Sequence, residues 1–179
     1  MSIIFFERKN YDTKKIEKAF NEQLNKELYS AYLYKAMSAI MAEDNYDGFA
    51  NWFSIQAQEE YAHAMGFYNN IILRGGKIDL MPIDRPDIDG RLPLDLYKRT
   101  LEHEEYVTAS INSIFALAKA ENDAASELFL HWYIREQLEE ETTAKKIIDT
   151  LEMIGDDKNA LFMLDKEFLT RQFQAPDIR

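Results

Sequence analysis

The hydrophobic positions of this 179-residue chain recur every three to four residues over long segments, which is the period of an amphipathic α-helix. This pattern predicts four long helices at about 12–41, 46–73, 94–120 and 124–154, and a shorter fifth helix at 158–171. Asp12 is the expected N-cap of the first helix, and Gly48 is expected in the connection that follows it. Turn signals separate the other helices: Arg74-Gly75-Gly76, Glu121-Asn122-Asp123 and Gly155-Asp156-Asp157.

One connection differs from the others in length. Residues 77–92 contain Pro82, Pro86 and Gly90, with Pro93 just beyond, so this segment is too irregular for a helix but long enough to run the length of a bundle. The predicted fold class is therefore all-α, an up-down-down-up four-helix bundle with a long crossover between the second and third helices. We expect one domain over 1–179: an extension at 1–10, the bundle at 11–154, the fifth helix at 156–171 and a frayed tail at 172–179.

Composition narrows the possible functions. The chain has no Cys, which excludes disulfides, thiolate nucleophiles and Cys-ligated metals. Its formal net charge of −11 makes nucleic acid a poor partner. The N-terminal residues lack the features of a secretory signal, and no apolar run approaches the ~20 residues of a membrane span. We therefore expect a cytoplasmic protein with no membrane partner.

Each long helix carries a glutamate at the centre of its apolar stripe. These residues are Glu27, Glu60, Glu104 and Glu140, each flanked at helical spacing by aromatic and aliphatic side chains. A buried unpaired carboxylate costs several kcal/mol, and Lys and Arg are largely absent from the stripes. All four positions lie near the midpoints of their helices, so a bundle brings them to one level. The pattern predicts that a shared metal cation lies between them.

His63 strengthens the metal hypothesis. It follows Glu60 by three residues, so both side chains face the same side of the helix, and Glu-x-x-His is the ligand pattern of bundle-core di-iron proteins. A lone helical His is more often a core or surface residue, but the three other stripe-centred glutamates favour the ligand interpretation. Oxygen-rich ligation with one imidazole suits iron or manganese better than copper, and zinc would also bind.

Further polar and aromatic residues flank the stripes and leave two interpretations open. Glu59, Glu136 and Glu139 are either solvated helix surface or additional ligands. Gln137 either hydrogen-bonds a metal-bound water or caps the edge of the core. Tyr34 lies two turns after Glu27 on the same face, so it is either a core aromatic residue or an electron donor beside the metal; Trp132 has a weaker case for the same role.

The motifs taken together resemble the prokaryotic non-haem ferritins over roughly residues 11–173. The resemblance rests on Glu27 with Tyr34, on QEEYAHA at 58–64, on His103-Glu104, on REQLEEE at 135–141 and on IGDDKNALFMLDKEFLTRQF at 154–173. It implies a ferritin-like bundle that oxidises Fe(II) with dioxygen or peroxide and stores ferric oxyhydroxide in a homo-oligomeric cage of 24 subunits. It also implies that the fifth helix lies around the four-fold axes of the cage.

The resemblance assigns roles to the candidate residues. It implies one iron site at Glu27, Glu60 and His63, and a second site that shares Glu60. The second site would be completed by Glu104 and Glu140, with Gln137 close by. A third iron site would be formed by outer acids: Glu59, Glu136, Glu139 and Glu140. Tyr34 and Trp132 match aromatic residues beside the centre.

Relatives with other cofactors fit less well. A bacterioferritin would have Met at the position of Tyr61, so no haem is expected. A rubrerythrin would need Cys. A di-iron oxygenase or peroxidase that retains its iron usually has a second Glu-x-x-His, where this chain has Glu136-x-x-Glu139. A structural helical bundle with surface acids is opposed by the stripe-centred glutamates.

Overall fold

Five helices make up the regular structure of the computed structural model, which describes residues 14–178. They are α1 (Lys14–Glu43), α2 (Asp47–Leu73), α3 (Pro93–Ala120), α4 (Ala124–Ile154) and α5 (Lys158–Phe168). Strands are absent from this part of the chain, and the all-α prediction is confirmed. No helix within 14–178 has the length and apolar character needed to cross a membrane. The predicted cap at Asp12 and the extension at 1–10 lie outside the described residues.

The first three helices end in the same way. Two residues after the end of each helix, Asn45, Gly75 and Asn122 adopt positive φ angles of 64°, 80° and 55°. This left-handed conformation suits Gly and Asn, and it turns the next N–H back toward a carbonyl five residues earlier. The resulting hydrogen bonds are 2.9 Å long and run from Tyr46 to Met41, from Gly76 to Ile71 and from Asp123 to Ala118. Each helix therefore stops sharply, so the following segment can reverse direction.

Contacts between helices fix their directions. Helices α1 and α3 are antiparallel, because Gln23 lies beside Ser110 whereas Tyr34, later in α1, lies beside Glu104, earlier in α3. Helices α2 and α4 are also antiparallel, since Gln56 donates to Glu140 whereas Arg74, just after α2, donates to Asp123, just before α4. The α1–α2 and α3–α4 pairs are also antiparallel, since short turns connect them. This is the predicted up-down-down-up bundle.

The crossover at 74–92 runs along α1 from one end to the other. Near its beginning, the Asn21 side chain donates to the Lys77 carbonyl at 2.9 Å and accepts from the Asp79 N–H at 2.8 Å. Near its end, the Arg91 guanidinium pairs with Asp44 at 3.0 Å, just beyond the other end of α1. The Asn21 side chain thus satisfies backbone groups that an irregular segment leaves unpaired, and the ion pair holds the other end of the crossover.

Two expectations about the ends of elements differ from the structure. Gly48 lies in the first turn of α2 rather than in the connection, and a Cβ there would lie 1.6 Å from the carbonyl oxygen of Asp165 in α5. The fifth helix ends at Phe168, three residues earlier than predicted. In the tail, residues 172–175 are exposed, whereas Ile178 is half-buried and packs against the core beside Gly66. A tertiary contact, which has no local sequence pattern, is present at both positions: Asp165 lies against Gly48, and the Asn51 amide donates to the Phe168 carbonyl.

The hydrophobic core is divided into two clusters along the bundle axis. One contains Phe20 and Phe67, whose ring centroids are 5.2 Å apart, and the other contains Phe53 and Tyr97, 4.9 Å apart. On every long helix the buried glutamate falls in the sequence interval between the residues of the two clusters. A polar layer therefore crosses the middle of the bundle, between two apolar halves.

Candidate metal centre

Four carboxylates lie in this polar layer, one from each long helix. Glu27, Glu60, Glu104 and Glu140 are 1%, 2%, 1% and 8% exposed. The stripes around them are largely buried as well, although Phe115 and Ile147 are only partly so. The helices bury these acids because the apolar residues one to four turns away on the same face must face the core.

Glu27, Glu60 and His63 form the most compact part of the layer. One ligand atom from each lies within 4.8 Å of the others. The Oε1 atom of Glu27 accepts a hydrogen bond from Gln23 Nε2 at 2.8 Å, but its Oε2 atom is buried without any hydrogen-bond partner among the described residues. Leaving a buried carboxylate oxygen unsatisfied is costly. An oxygen-rich triangle with one imidazole and an open oxygen suits a metal ion.

Glu104 and Glu140 complete the layer. The Tyr34 hydroxyl donates to one oxygen of Glu104, and Gln137 Nε2 donates to the other at 3.0 Å. Gln56 Nε2 donates to Glu140 Oε1 at 2.9 Å and to Glu60 Oε1 at 3.2 Å. One amide group therefore links the carboxylates of two helices. Buried amide and phenol donors hold these acids in fixed orientations.

Burial and mutual repulsion shift the four acids in the same direction. In each case burial is the larger cause and raises the pKa to about 8. The strongest repulsion on Glu27 and on Glu104 comes from Glu60, that on Glu60 from Glu140, and that on Glu140 from Glu104. Glu60 thus interacts with all three of the others. Binding of a cation would favour the ionised form and displace protons.

Three further acids lie outside this layer, and we call Glu59, Glu136 and Glu139 the outer acids. Glu136 Oε1 lies 3.9 Å from His63 Nε2, and its side chain is 29% exposed. Burial raises the pKa of Glu59, and Arg171 and His63 oppose that rise. Glu139 is exposed to solvent. The outer acids therefore extend from the imidazole toward solvent.

Aromatic residues surround the imidazole. The Trp132 ring centroid lies 5.3 Å from that of His63, and the Tyr133 hydroxyl donates to the His63 carbonyl at 2.8 Å. His103, which precedes Glu104, has a different environment: its Nε2 atom lies 2.8 Å from Ser30 Oγ. Burial first, and then the charge of Arg99, lower the His103 pKa to about 4. His103 is therefore neutral at ordinary pH and is engaged by Ser30.

Comparison with known proteins places this arrangement in a family. Residues 17–154 match the model of the Ferritin-like domain. The chain is 38% identical over 161 residues to a bacterial non-heme ferritin of Staphylococcus aureus (strain MRSA252), covering 90% of this chain and 97% of the relative. The chain belongs to the ferritin family. Proteins of this family store iron and oxidise Fe(II).

Solved ferritin structures share the fold closely. A closed form of the Archaeoglobus fulgidus ferritin, engineered by site-directed mutagenesis, superposes with a TM-score of 0.89 at 40% identity, covering 90% of this chain and 99% of that chain. An open pore ferritin from the same archaeon superposes with a TM-score of 0.88 at 41% identity, covering 89% and 98%. The likeness therefore extends over about nine tenths of this chain.

Three polar residues of this ferritin centre were not singled out from the sequence. Gln23 and Gln56 each lie one turn before the glutamate that they contact, Glu27 and Glu60. This repeated Gln-x-x-x-Glu spacing is visible in the sequence and could have indicated both amides. Arg171, whose Nη2 atom lies 2.5 Å from Glu59 Oε2, carries no such signal, because 112 residues separate the two.

Proposed function

We propose that this chain is an iron-storage ferritin subunit with ferroxidase activity. Its di-iron centre comprises Glu27, Glu60, His63, Glu104 and Glu140, and its ferric product is retained in a homo-oligomeric cage of 24 subunits. The observation that carries the proposal is the unpartnered buried oxygen of Glu27, in one triangle with Glu60 and His63. Two further buried carboxylates face that triangle.

Charge balance supports a pair of ions rather than one. Four ionised carboxylates match the charge of two Fe(II) ions, so a buried pair would be neutral overall. Glu27 and His63 would bind one ion, and Glu104 and Glu140 the other. Glu60 would bridge them, because it belongs to the triangle with Glu27 and His63 and also shares the Gln56 amide with Glu140. The amide of Gln23 holds one oxygen of Glu27, and the amide of Gln56 holds one oxygen each of Glu60 and Glu140, which leaves the second oxygen of each carboxylate for a metal.

The reaction follows from holding two Fe(II) ions side by side. Each Fe(II) gives one electron to dioxygen, which takes up two protons to form hydrogen peroxide. With hydrogen peroxide as the oxidant, the same two electrons and two protons give two waters. Oxidation leaves the two ions with more positive charge than four carboxylates balance. The ferric product therefore attracts hydroxide and leaves the centre, which drives hydrolysis to oxyhydroxide.

The residues around the centre have supporting roles in this proposal. Glu59, Glu136 and Glu139, with Glu140, would form a third iron site on the way out of the centre. Gln137 would orient Glu104. Tyr34 would donate an electron through its buried phenol, and Trp132 lies beside the His63 ligand.

Iron loading of the assembled protein tests the function. Fe(II) is added in air well beyond two ions per subunit, and the iron content is measured after size-exclusion chromatography. We expect soluble ferric iron to co-elute with a particle of hundreds of kilodaltons. Retention of only two irons per subunit would instead indicate a di-iron oxygenase or peroxidase. A monomer or dimer would rule out the cage.

A further inference from the structure

Arg171 follows α5 and lies against a single stretch of α2. Its guanidinium stacks on the Trp52 ring, with Cζ 4.4 Å from the ring centroid, and its Nη1 atom donates to the Trp52 carbonyl at 3.1 Å. Asn51 Nδ2 donates to the Arg171 carbonyl at 3.1 Å and to the Phe168 carbonyl at 3.0 Å. Neighbouring residues of α2 thus hold both the backbone and the guanidinium of Arg171 in place.

The same guanidinium reaches the metal centre by two routes. Directly, Nη2 pairs with Glu59, and the two side chains are only 24% and 20% exposed. Indirectly, Nη2 donates to Gln56 Oε1 at 2.9 Å, and the amide nitrogen of Gln56 holds Glu60 and Glu140. This amide is held at both ends, so Arg171 and the two carboxylates together fix its orientation.

Docking of α5 brings Arg171 to this place. Asp165 of α5 is 3% exposed, and its Oδ1 atom accepts hydrogen bonds from the backbone N–H groups of Gly48 at 2.8 Å and Phe49 at 3.1 Å. A carboxylate at the N-terminus of α2 satisfies free N–H groups and interacts favourably with the helix dipole. The Arg171 guanidinium then lies about two helical turns further along α2 than the hydrogen bonds of Asp165.

We propose that Arg171 is a positioning residue that acts as an internal counter-cation on the outer acids, so that an iron ion leaving the centre must displace it from Glu59. The proposal rests on the proposed function. A guanidinium carries a single charge and satisfies Glu59 with hydrogen bonds, so it neutralises that acid in the metal-free protein. A divalent or trivalent ion competes for the same carboxylate. Arg171 thereby lowers the metal affinity of the outer acids relative to that of the di-iron centre.

Zn(II) binding to the assembled, metal-free protein tests this competition without any redox step. Calorimetric titration separates tight binding at the inner centre from weaker binding at the outer acids. In Arg171→Gln we expect outer binding to become about tenfold tighter, within the range known for residues that support metal ligands. Arg171→Lys, which keeps the charge, should give a smaller gain. The double variant Arg171→Gln/Glu59→Gln should lose the gain, because the contested carboxylate is absent.

Arg91→Gln is the matched control, since it removes the same charge from a site at the end of α1. Its outer affinity should equal that of the wild type. Equal outer affinities in wild type and Arg171→Gln would overturn the proposal, as would a gain that persists in the double variant. If Arg171→Gln fails to assemble, Arg171→Lys decides the matter, because an unchanged outer affinity in that variant also overturns the proposal. Failure of the proposed function would appear separately, as fewer than two tight ions per subunit.

Discussion

The inner acids of this ferritin (Glu27, Glu60, Glu104 and Glu140) and its outer acids are the same residue type, yet they differ in exposure and in the groups that hold them. Glu27, Glu60 and Glu104 are at most 2% exposed, and glutamine and tyrosine side chains hold their oxygens. Among the outer acids, Glu139 is exposed to solvent and Glu59 is neutralised by an arginine. The inner acids lie at the centre of apolar stripes, and the outer ones at the edges.

This difference shows what burial does to a carboxylate. An inner acid can avoid its desolvation penalty only by keeping a proton or by binding a cation. In the metal-free protein, burial therefore favours the protonated form of the inner acids. An outer acid can be ionised without metal, because water or Arg171 compensates its charge. The inner acids are therefore suited to pairing two ions, and the outer acids to passing them on.

Glu60→Gln should produce the largest effect, because it alters the proposed bridge between the two ions. We expect the initial rate of Fe(II) oxidation in stopped-flow absorbance to fall by at least ~100-fold. The metal-free protein should be as stable as the wild type or more so, since one repelling buried charge is gone. The control is Glu105→Gln, which changes an exposed acid on α3. An unchanged oxidation rate in Glu60→Gln would contradict the assignment of the inner acids.

Gly48→Ala should disturb the outer acids without replacing any of them. Its Cβ would overlap the Asp165 carbonyl oxygen, so α5 must shift and Arg171 with it. Overpacking of this kind costs about 1–3 kcal/mol, which should lower the melting temperature by several degrees. Outer Zn(II) affinity should rise as it does in Arg171→Gln. Asp47→Ala, an exposed change in the same helical turn, serves as the control. A Gly48→Ala protein with wild-type stability would show that α5 is loosely docked.

The pH dependence of stability should reveal the inner acids in the metal-free protein. Their pKa of about 8 in the folded state lies above the ordinary glutamate value of 4.5, so between these values the folded state holds protons that the unfolded state has lost. Stability must then fall as pH rises through that window. We expect the melting temperature, measured with a chelator present, to drop by at least ~5 °C between the two ends of the window. Glu60→Gln should reduce the drop more than Glu105→Gln does. Equal drops in all three proteins would contradict the raised pKa values.

Tyr34→Phe should have a smaller, purely kinetic effect on the inner layer. The phenyl ring keeps the packing against Phe53, but the hydrogen bond to Glu104 and the redox-active phenol are lost. We expect slower decay of the earliest absorbance transient or an altered ratio of iron to oxygen consumed. The melting temperature should change little, because Gln137 still holds Glu104. Stopped-flow traces identical to wild type would show that Tyr34 is only a core residue.

Glu139→Gln should give the smallest effect on oxidation. Its side chain lies at the exposed rim, so the initial oxidation rate should stay within about twofold of the wild-type rate. Weaker binding of the outer Zn(II) ion should be its main consequence. A loss of oxidation rate comparable to that of Glu60→Gln would remove the distinction between inner and outer acids.

Local patterns in the sequence determined much of this protein. Helical periodicity gave the helices and their buried faces, and the short turns with Gly75 and Asn122 made the neighbouring helices antiparallel. These features are encoded within a few residues, so a single helix face or turn is enough to reveal them. The same periodicity centred Glu60 and His63 on one face. Four such acids at one level predicted a metal centre before any contact was known.

Only the tertiary structure decided how distant segments meet. The docking of Asp165 on the first turn of α2, the packing of Ile178 beside Gly66 and the pairing of Arg171 with Glu59 each join residues more than 100 positions apart. Gln56 could be seen to lie one turn before Glu60, but its second hydrogen bond to Glu140 depends on how α2 packs against α4. Such contacts form because the folded chain brings together groups that satisfy one another's charge and hydrogen bonds, and no local period records which groups those are.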